Sequence, residues 1–142
     1  MATLNPYLNF PGTAEEAFTF YKAAFGGEFL GINRFKDMPD TGRIPAEALD
    51  KIMHIALPIG NGNILMASDA PASMGFTVTA GNNFYISVNV GSKEEADRIF
   101  AALSEGGKIE MPLGDTFWGA YYGSFADKFG IGWMISYEQP KG

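Results

Sequence analysis

TAEEAFTFYKAA occupies residues 13–24, and SKEEADRIFAAL occupies residues 92–103. Each opens with a hydroxyl residue followed three places later by Glu: Thr13 with Glu16, and Ser92 with Glu95. That spacing predicts a capping box, in which hydroxyl and carboxylate satisfy each other's free backbone N–H groups at a helix start. Ala17, Phe18, Tyr21 and Phe25 recur at helical spacing, as do Ala96, Ile99, Phe100 and Leu103, so each segment reads as a helix with one buried stripe. Gly26–Gly27 and Gly106–Gly107 stand where a left-handed C-cap is expected.

Outward from the helices, the same shift of 79 positions aligns a strand-like stretch, a turn glycine, the cap and the helix without a gap. The strands before the helices are LNPYLNF (4–10) and NFYISVN (83–89). After the first helix come EFLGINRF (28–35), IMHIALPI (52–59) and NILMAS (63–68). After the second come KIEMPL (108–113), WGAYYGSFA (118–126) and IGWMISY (131–137). The order is β-α-β-β-β, twice, and LMAS (65–68) and WMIS (133–136) fall in the last strand of each copy. The reading is one α+β domain over residues 1–142, with module one at about 1–69, a linker at 70–82 and module two at about 83–138. The charged, Pro-containing stretch 36–51 reads as a loop within module one.

A chain of 142 residues is long enough for a real core. Its net charge of −6 argues against nucleic-acid and anionic-membrane partners, which need a basic surface. The acidity serves solubility, or a preference for cationic or neutral ligands. With no Cys, disulfides, thiolate catalysis and Cys-ligated zinc are excluded. The start MATLNPYLNF lacks a basic segment followed by an apolar run, and no apolar run approaches the roughly 20 residues of a membrane span. A soluble, cytoplasmic protein is therefore expected. Aromatic residues reach 14%, with 12 Phe, which points to a large core, an apolar pocket or an interface.

The stretches PYLNFPGTAEEAFTFYKAAFGG (6–27), HIALPIGNGNILMASDA (54–70) and GKIEMPLGDTFWGAYYGSFADKFGIGWMIS (107–136) resemble the PhnB-like family of the vicinal-oxygen-chelate superfamily. Glyoxalases, extradiol dioxygenases and bleomycin-resistance proteins belong to that superfamily. The resemblance implies that the two βαβββ modules form a curved, cupped mixed sheet with helices on the outer face, closed around a ligand by a homodimer. It also implies four sheet positions that hold a divalent ion in metal-dependent members. Carried over one at a time, these fall on Asn5, Met66, Phe84 and Met134. A thioether is a poor ligand for hard divalent ions and Phe is none, so no metal is expected. Met makes a flexible, polarizable wall instead.

Strand alternation puts Asn5, Tyr7 and Asn9 on one face, with Leu8 and Phe10 turned toward the helices. His54, the only histidine, has no partner motif. Trp118 and Tyr121 are candidate aromatic walls, whereas Trp133 reads as core by parity with Met134. Asp127-Lys128-Phe129-Gly130 reads as a turn, and Asp69 and Asp115 as loop acids. IGNGN (59–63) has no helix behind it and reads as a hairpin turn, not a dinucleotide fingerprint. Some relatives carry a methyltransferase label, but no Gly-rich strand–loop–helix for S-adenosylmethionine is present.

The reading that follows is a homodimer binding an unidentified small molecule in a largely apolar cavity, without metal or cofactor. The cavity is lined by Asn5, Tyr7, Asn9, His54, Met66, Phe84, Trp118, Tyr121 and Met134. No catalytic set is assigned. The alternatives are an enzyme using His54 with a nearby carboxylate or a weakly bound divalent metal, and a structural or regulatory dimer with a filled cavity.

Overall fold

The helix-spaced apolar stripes each need a sheet to cover, and each module supplies its own. A computed structural model describes residues 2–140. Its first module runs β1 (Tyr7–Phe10), α1 (Ala14–Phe25), β2 (Gly31–Arg34), β3 (Ile52–Gly60) and β4 (Asn63–Asp69). The second runs β5 (Ile86–Asn89), α2 (Lys93–Ser104), β6 (Lys108–Asp115), β7 (Ala120–Ala126) and β8 (Gly132–Glu138). The described residues divide into two units after Thr79. Each unit holds a four-stranded sheet, ordered β1-β4-β3-β2 in one and β5-β8-β7-β6 in the other. The first strand of each module pairs parallel with the last, and the remaining pairs are antiparallel. The fold is therefore α+β with two βαβββ modules, and neither four-stranded sheet closes on itself. No helix among the described residues is long and apolar enough to cross a membrane.

In the first unit Ala14, Ala17, Phe18, Tyr21 and Ala24 of α1 are buried, together with Leu8, Phe10, Ile55, Leu57, Leu65 and Ala67 of the sheet. Phe18 packs edge-on against Phe10 and Tyr21, with centroids 6.4 and 5.5 Å away. In the second unit the buried stripe of α2 is the one expected, Ala96, Ile99, Phe100 and Leu103. Phe100 meets Phe125 edge-on at 4.9 Å. It also lies against Gly123, where a Cβ would come within 2.7 Å of its ring. Trp133 is buried, as strand parity predicts, and its indole N–H donates to Asp127 Oδ2 at 2.8 Å.

The helix starts are capped differently from the sequence expectation in one case. Ser92 Oγ accepts from Glu95 N, and Glu95 Oε1 accepts from Gly91 N. Thr13 makes no side-chain cap bond. Asp69 serves this helix start instead, through a different amide and from 55 residues away: Oδ1 accepts from Ala14 N at 2.9 Å, and Oδ2 from Ile52 N at 2.8 Å. Asp69 is 4% exposed at the end of β4, so it is not the loop acid expected. It satisfies the first N–H of α1, one of the helix-start donors that no backbone carbonyl can serve.

β1 and β5 begin at Tyr7 and Ile86, later than the expected 4 and 83. Pro6 has no N–H to give a ladder, although its carbonyl still accepts from Met66 N at 3.0 Å. Beyond it Asn5 Oδ1, a side-chain oxygen, accepts from Ile64 N at 3.0 Å. The turn after β3 is the hairpin expected, with positive φ at Gly60, Asn61 and Gly62.

The 79-residue shift maps α1 onto α2 and the ends of β1 onto those of β5. The register departs from it by one residue. Tyr7 pairs with Met66, but Ser87 pairs with Met134. Leu8 and Phe10 are the buried residues of β1, whereas Ser87 and Asn89 of β5 are exposed and Ile86 and Val88 half-buried. A slip of one residue exchanges the two faces of a strand. The residue corresponding to Asn5 in sheet register is therefore Tyr85, not Phe84.

These caps predict a ranking in urea unfolding. Asp69→Ala leaves two backbone N–H groups without their acceptor and should cost about 3 kcal/mol. Ser92→Ala should cost about 1 kcal/mol. Thr13→Ala should cost no more than a few tenths of that, against about 1 kcal/mol if Thr13 were a working cap.

Candidate functional site

Each helix covers one face of its sheet, and alternation along the strands decides what the other face carries. In the first unit Tyr7, Met66 and Ala56 stand side by side across β1, β4 and β3. The next row begins with Asn9 beside Ser68, whose Oγ donates to Asn9 Oδ1 at 3.3 Å. On β3 and β2, His54 lies opposite Asn33. The rings of Tyr7 and His54 are 5.9 Å apart and tilted by 44°. Tyr7, Asn9, His54 and Met66 therefore share the helix-free face, and Asn5 sits at its edge with its carbonyl oxygen already engaged by Ile64 N. Asp69 is buried on the helix side. Glu15 pairs with Arg34, Asp50 with Lys36, and Asp37 accepts from Arg34 N. No carboxylate is hydrogen-bonded to His54 among the described residues.

In the second unit the helix-free face carries Ser87 and Asn89 of β5, Met134 and Ser136 of β8, Tyr122 and Ser124 of β7, and Met111 of β6. Tyr122 is opposite Ser136 and Ser124 opposite Met134. Tyr121 points the other way. Its hydroxyl donates to Asp97 Oδ1 on α2 at 2.5 Å, and Lys93 Nζ lies 4.9 Å from its ring centroid. The side chain of Tyr121 is thus set apart from Met134, and its neighbour Tyr122 is the aromatic of this face. Trp118, 58% exposed in the turn before β7, lies 6.0 Å from Tyr122 ring to ring. Phe84 precedes β5 and is largely exposed.

Tyr85, a residue the sequence reading did not single out, crosses this face. It stands opposite Gly132, since Ile86 pairs with Trp133. A Cβ on Gly132 would meet the Tyr85 ring at 2.9 and 3.1 Å, so the ring lies directly on the glycine. The Tyr85 hydroxyl donates to Glu110 Oε1 on β6 at 2.5 Å. That bond raises the phenol above its ordinary range, with burial, the charge of Glu110 and the proximity of Tyr122 adding to the shift.

The positions implied for a divalent ion do not fit one. Asn5 is engaged with backbone, Met66 and Met134 offer thioethers, Phe84 offers nothing, and Tyr85, in register with Asn5, is bonded to Glu110. Among the described residues no group of three or more His, Asp or Glu is gathered for a metal.

The bonds of Tyr85 and Tyr121 predict two late phenols, because Tyr121 is raised by its bond to Asp97 in the same way. A folded-state pKa raised above the unfolded value of about 10 gives stability present below that value and lost as pH climbs past the raised one. In an alkaline titration of phenolate absorbance, Tyr85→Phe and Tyr121→Phe should each remove a late-ionising group. Glu110→Gln should return Tyr85 to the ordinary range; an unchanged curve would contradict the bond.

Comparison with known proteins agrees with this architecture. The family model of the Glyoxalase/Bleomycin resistance protein/Dioxygenase superfamily matches residues 3–135. Protein YjdN of Escherichia coli K12 is 31% identical over 141 residues, covering 94% of this chain and 93% of its own. The crystal structure of PA1353 from Pseudomonas aeruginosa superposes with a TM-score of 0.86 at 42% identity, covering 99% of this chain and 100% of that one. A Bacillus cereus PhnB protein, described as a putative 3-demethylubiquinone-9 3-methyltransferase, gives 0.76 at 28% identity, with 96% and 99% covered. The chain belongs to the glyoxalase/bleomycin resistance protein/dioxygenase superfamily, among its PhnB-like members.

Proposed function

We propose that this protein binds a small molecule, without transforming it, in a largely apolar, metal-free cavity of a homodimer. The observation that carries the reading is the make-up of the helix-free sheet faces. Met66, Met134 and aromatic rings alternate with a few polar groups such as Asn9, Ser68, Ser87 and Ser136. Such a mixture orients a ligand by a few hydrogen bonds while apolar contact supplies most of the affinity. The one histidine, His54, has an aromatic neighbour, Tyr7, and not a carboxylate.

Methyl transfer, in the printed name of the Bacillus cereus relative, finds no support in these residues. Gly60–Gly62 is the tip of a hairpin between β3 and β4 and leads into no helix, so it is not built to seat a nucleotide-like cofactor. The homodimer is favoured by large apolar side chains left exposed within the units, including Leu30, Phe84 and Phe117. The acidic balance keeps nucleic acid and anionic membranes out of the reading, and the cytoplasm is the compartment assumed.

A native mass spectrum of protein purified without chelator tests three parts at once. The expected species is a dimer with no stoichiometric divalent metal, and either a co-purified small molecule or a mass increment on incubation with a compound from a thermal-shift screen. A true ligand at about 100 times its Kd should stabilise by about 2.7 kcal/mol, and Met66→Glu should reduce that. One Ni, Mn, Fe or Zn ion per chain, or a monomer at tens of micromolar, would overturn the reading.

A further inference from the structure

We propose that the helix-free face of the second sheet takes a small organic cation, with Glu110 as its counter-charge and the rings of Tyr85, Tyr122 and Trp118 as its walls. The inference rests on the small-molecule reading above and names the ligand class for one face.

The geometry of Tyr85 and Glu110 is the first ground. β5 and β6 are the two edges of the sheet, with β8 and β7 between them. Neighbouring strands are about 4.8 Å apart, so the edges are about 14 Å apart. A phenol from one edge and a carboxylate from the other meet at that span only by lying flat across the central strands. The row beneath them permits it: Tyr85 stands opposite Gly132, and Gly132 pairs with Ala126. Any side chain at residue 132 would lift the ring. On β6, the irregularity between Ile109 and Met111 leaves Glu110 without a partner on β7, and a bulged residue of this kind re-aims its side chain.

Charge is the second ground. Glu110 accepts from Tyr85 through one oxygen, and no Lys or Arg forms an ion pair with it among the described residues. Lys108, which ends the row of Tyr85, Gly132 and Ala126 on β6, is not within pairing distance of it. A carboxylate without a counter-ion, on a face that also carries aromatic rings, attracts a cation twice: by its own charge, and by the negative faces of the rings. Tyr122 lies on the same face, opposite Ser136, and Trp118 lies 6.0 Å from it ring to ring. Met134 and Met111 lie on the same face and supply polarizable contact for the alkyl groups of such a cation. In this arrangement the Tyr85–Glu110 bond is a strap. A cation that reaches Glu110 competes with the phenol for the carboxylate, and the freed ring can turn its face to the bound charge.

Choline and its neutral isostere 3,3-dimethylbutan-1-ol separate charge from shape. Titrated into the full chain and followed by tryptophan fluorescence, choline is expected to bind at least about tenfold more tightly. Trp118→Phe should abolish the signal, which assigns it to the exposed indole and not to the buried Trp133. Glu110→Gln should weaken choline by about threefold or more and leave the isostere unchanged. Tyr85→Phe, which releases the carboxylate and keeps a ring, should not weaken choline. Tyr121→Phe, on the helix side of the same sheet, should have no effect. Equal binding of the two probes would overturn the cation assignment while leaving small-molecule binding intact, and so would a Glu110→Gln variant that binds choline as tightly as the natural chain. Absence of binding by either probe would also overturn it, while the native mass spectrum judges the small-molecule reading separately. The comparison of the two probes on the natural chain depends on no variant folding.

Discussion

A single buried carboxylate fixes the first module. Asp69 at the end of β4 accepts from the first N–H of α1 and from the first residue of β3. Buried acceptors of this kind persist because removal leaves donors with no water to replace them. Three elements are held at one corner, and α1 is directed across a defined face of its sheet. Once α1 covers Leu8, Phe10, Leu65 and Ala67, strand alternation leaves Tyr7, Asn9, Met66 and Ser68 on the opposite face. The composition of that face follows from where the helix is tied down.

The second module reaches the same end with another carboxylate. Asp127, 4% exposed after β7, accepts from Phe129 N and Ile131 N through Oδ1 and from the Trp133 indole through Oδ2. The turn into β8 is thereby fixed together with the largest side chain of the core. The β7–β8 register follows, and with it the placement of Tyr121 toward α2 and Tyr122 away from it. Both acids are structural, but Asp69 acts on a helix start far away in sequence, whereas Asp127 acts within its own turn.

That difference marks what was legible in the sequence. The two helices, their buried stripes, the order of strands and the hairpin at Gly60–Gly62 are encoded by neighbours within a few residues, and they were readable. The turn role of Asp127 was readable for the same reason. Asp69 was not, because its partners are 55 and 17 residues away and nothing local distinguishes it from a loop acid. The register puts Tyr85 where the sequence predicts Phe84, and Tyr122 where it predicts Tyr121. For Phe84 the face assignment depends on counting residues through a turn, and the two modules differ there by one. Three residues, Pro11–Thr13, lead from the end of β1 to α1, whereas Gly91 and Ser92 alone follow Val90, whose N–H still bonds Ser136 O on β8. The signal for Tyr85 was present but weak: a glycine in β8, at residue 132, where a strand gains nothing from lacking a side chain unless something lies on it.

The four positions that a metal-dependent relative would give to ligands have been put to other uses, and the uses are not equivalent. Asn5 completes the backbone pairing of β4 where Pro6 cannot continue a strand. Tyr85, its counterpart in register, is the strap to Glu110. Met66 and Met134 stay on the helix-free faces, half-buried. A carboxylate at either methionine would be partly desolvated with no cation beside it, a state that the thioether avoids altogether. Asymmetry between the modules is therefore concentrated in the first strand: one module uses that position for the fold, and the other spreads an ionisable pair across its open face. Twofold repetition of the scaffold constrains the helices and sheet orders, while a one-residue difference in a turn is enough to give one face chemistry that the other lacks.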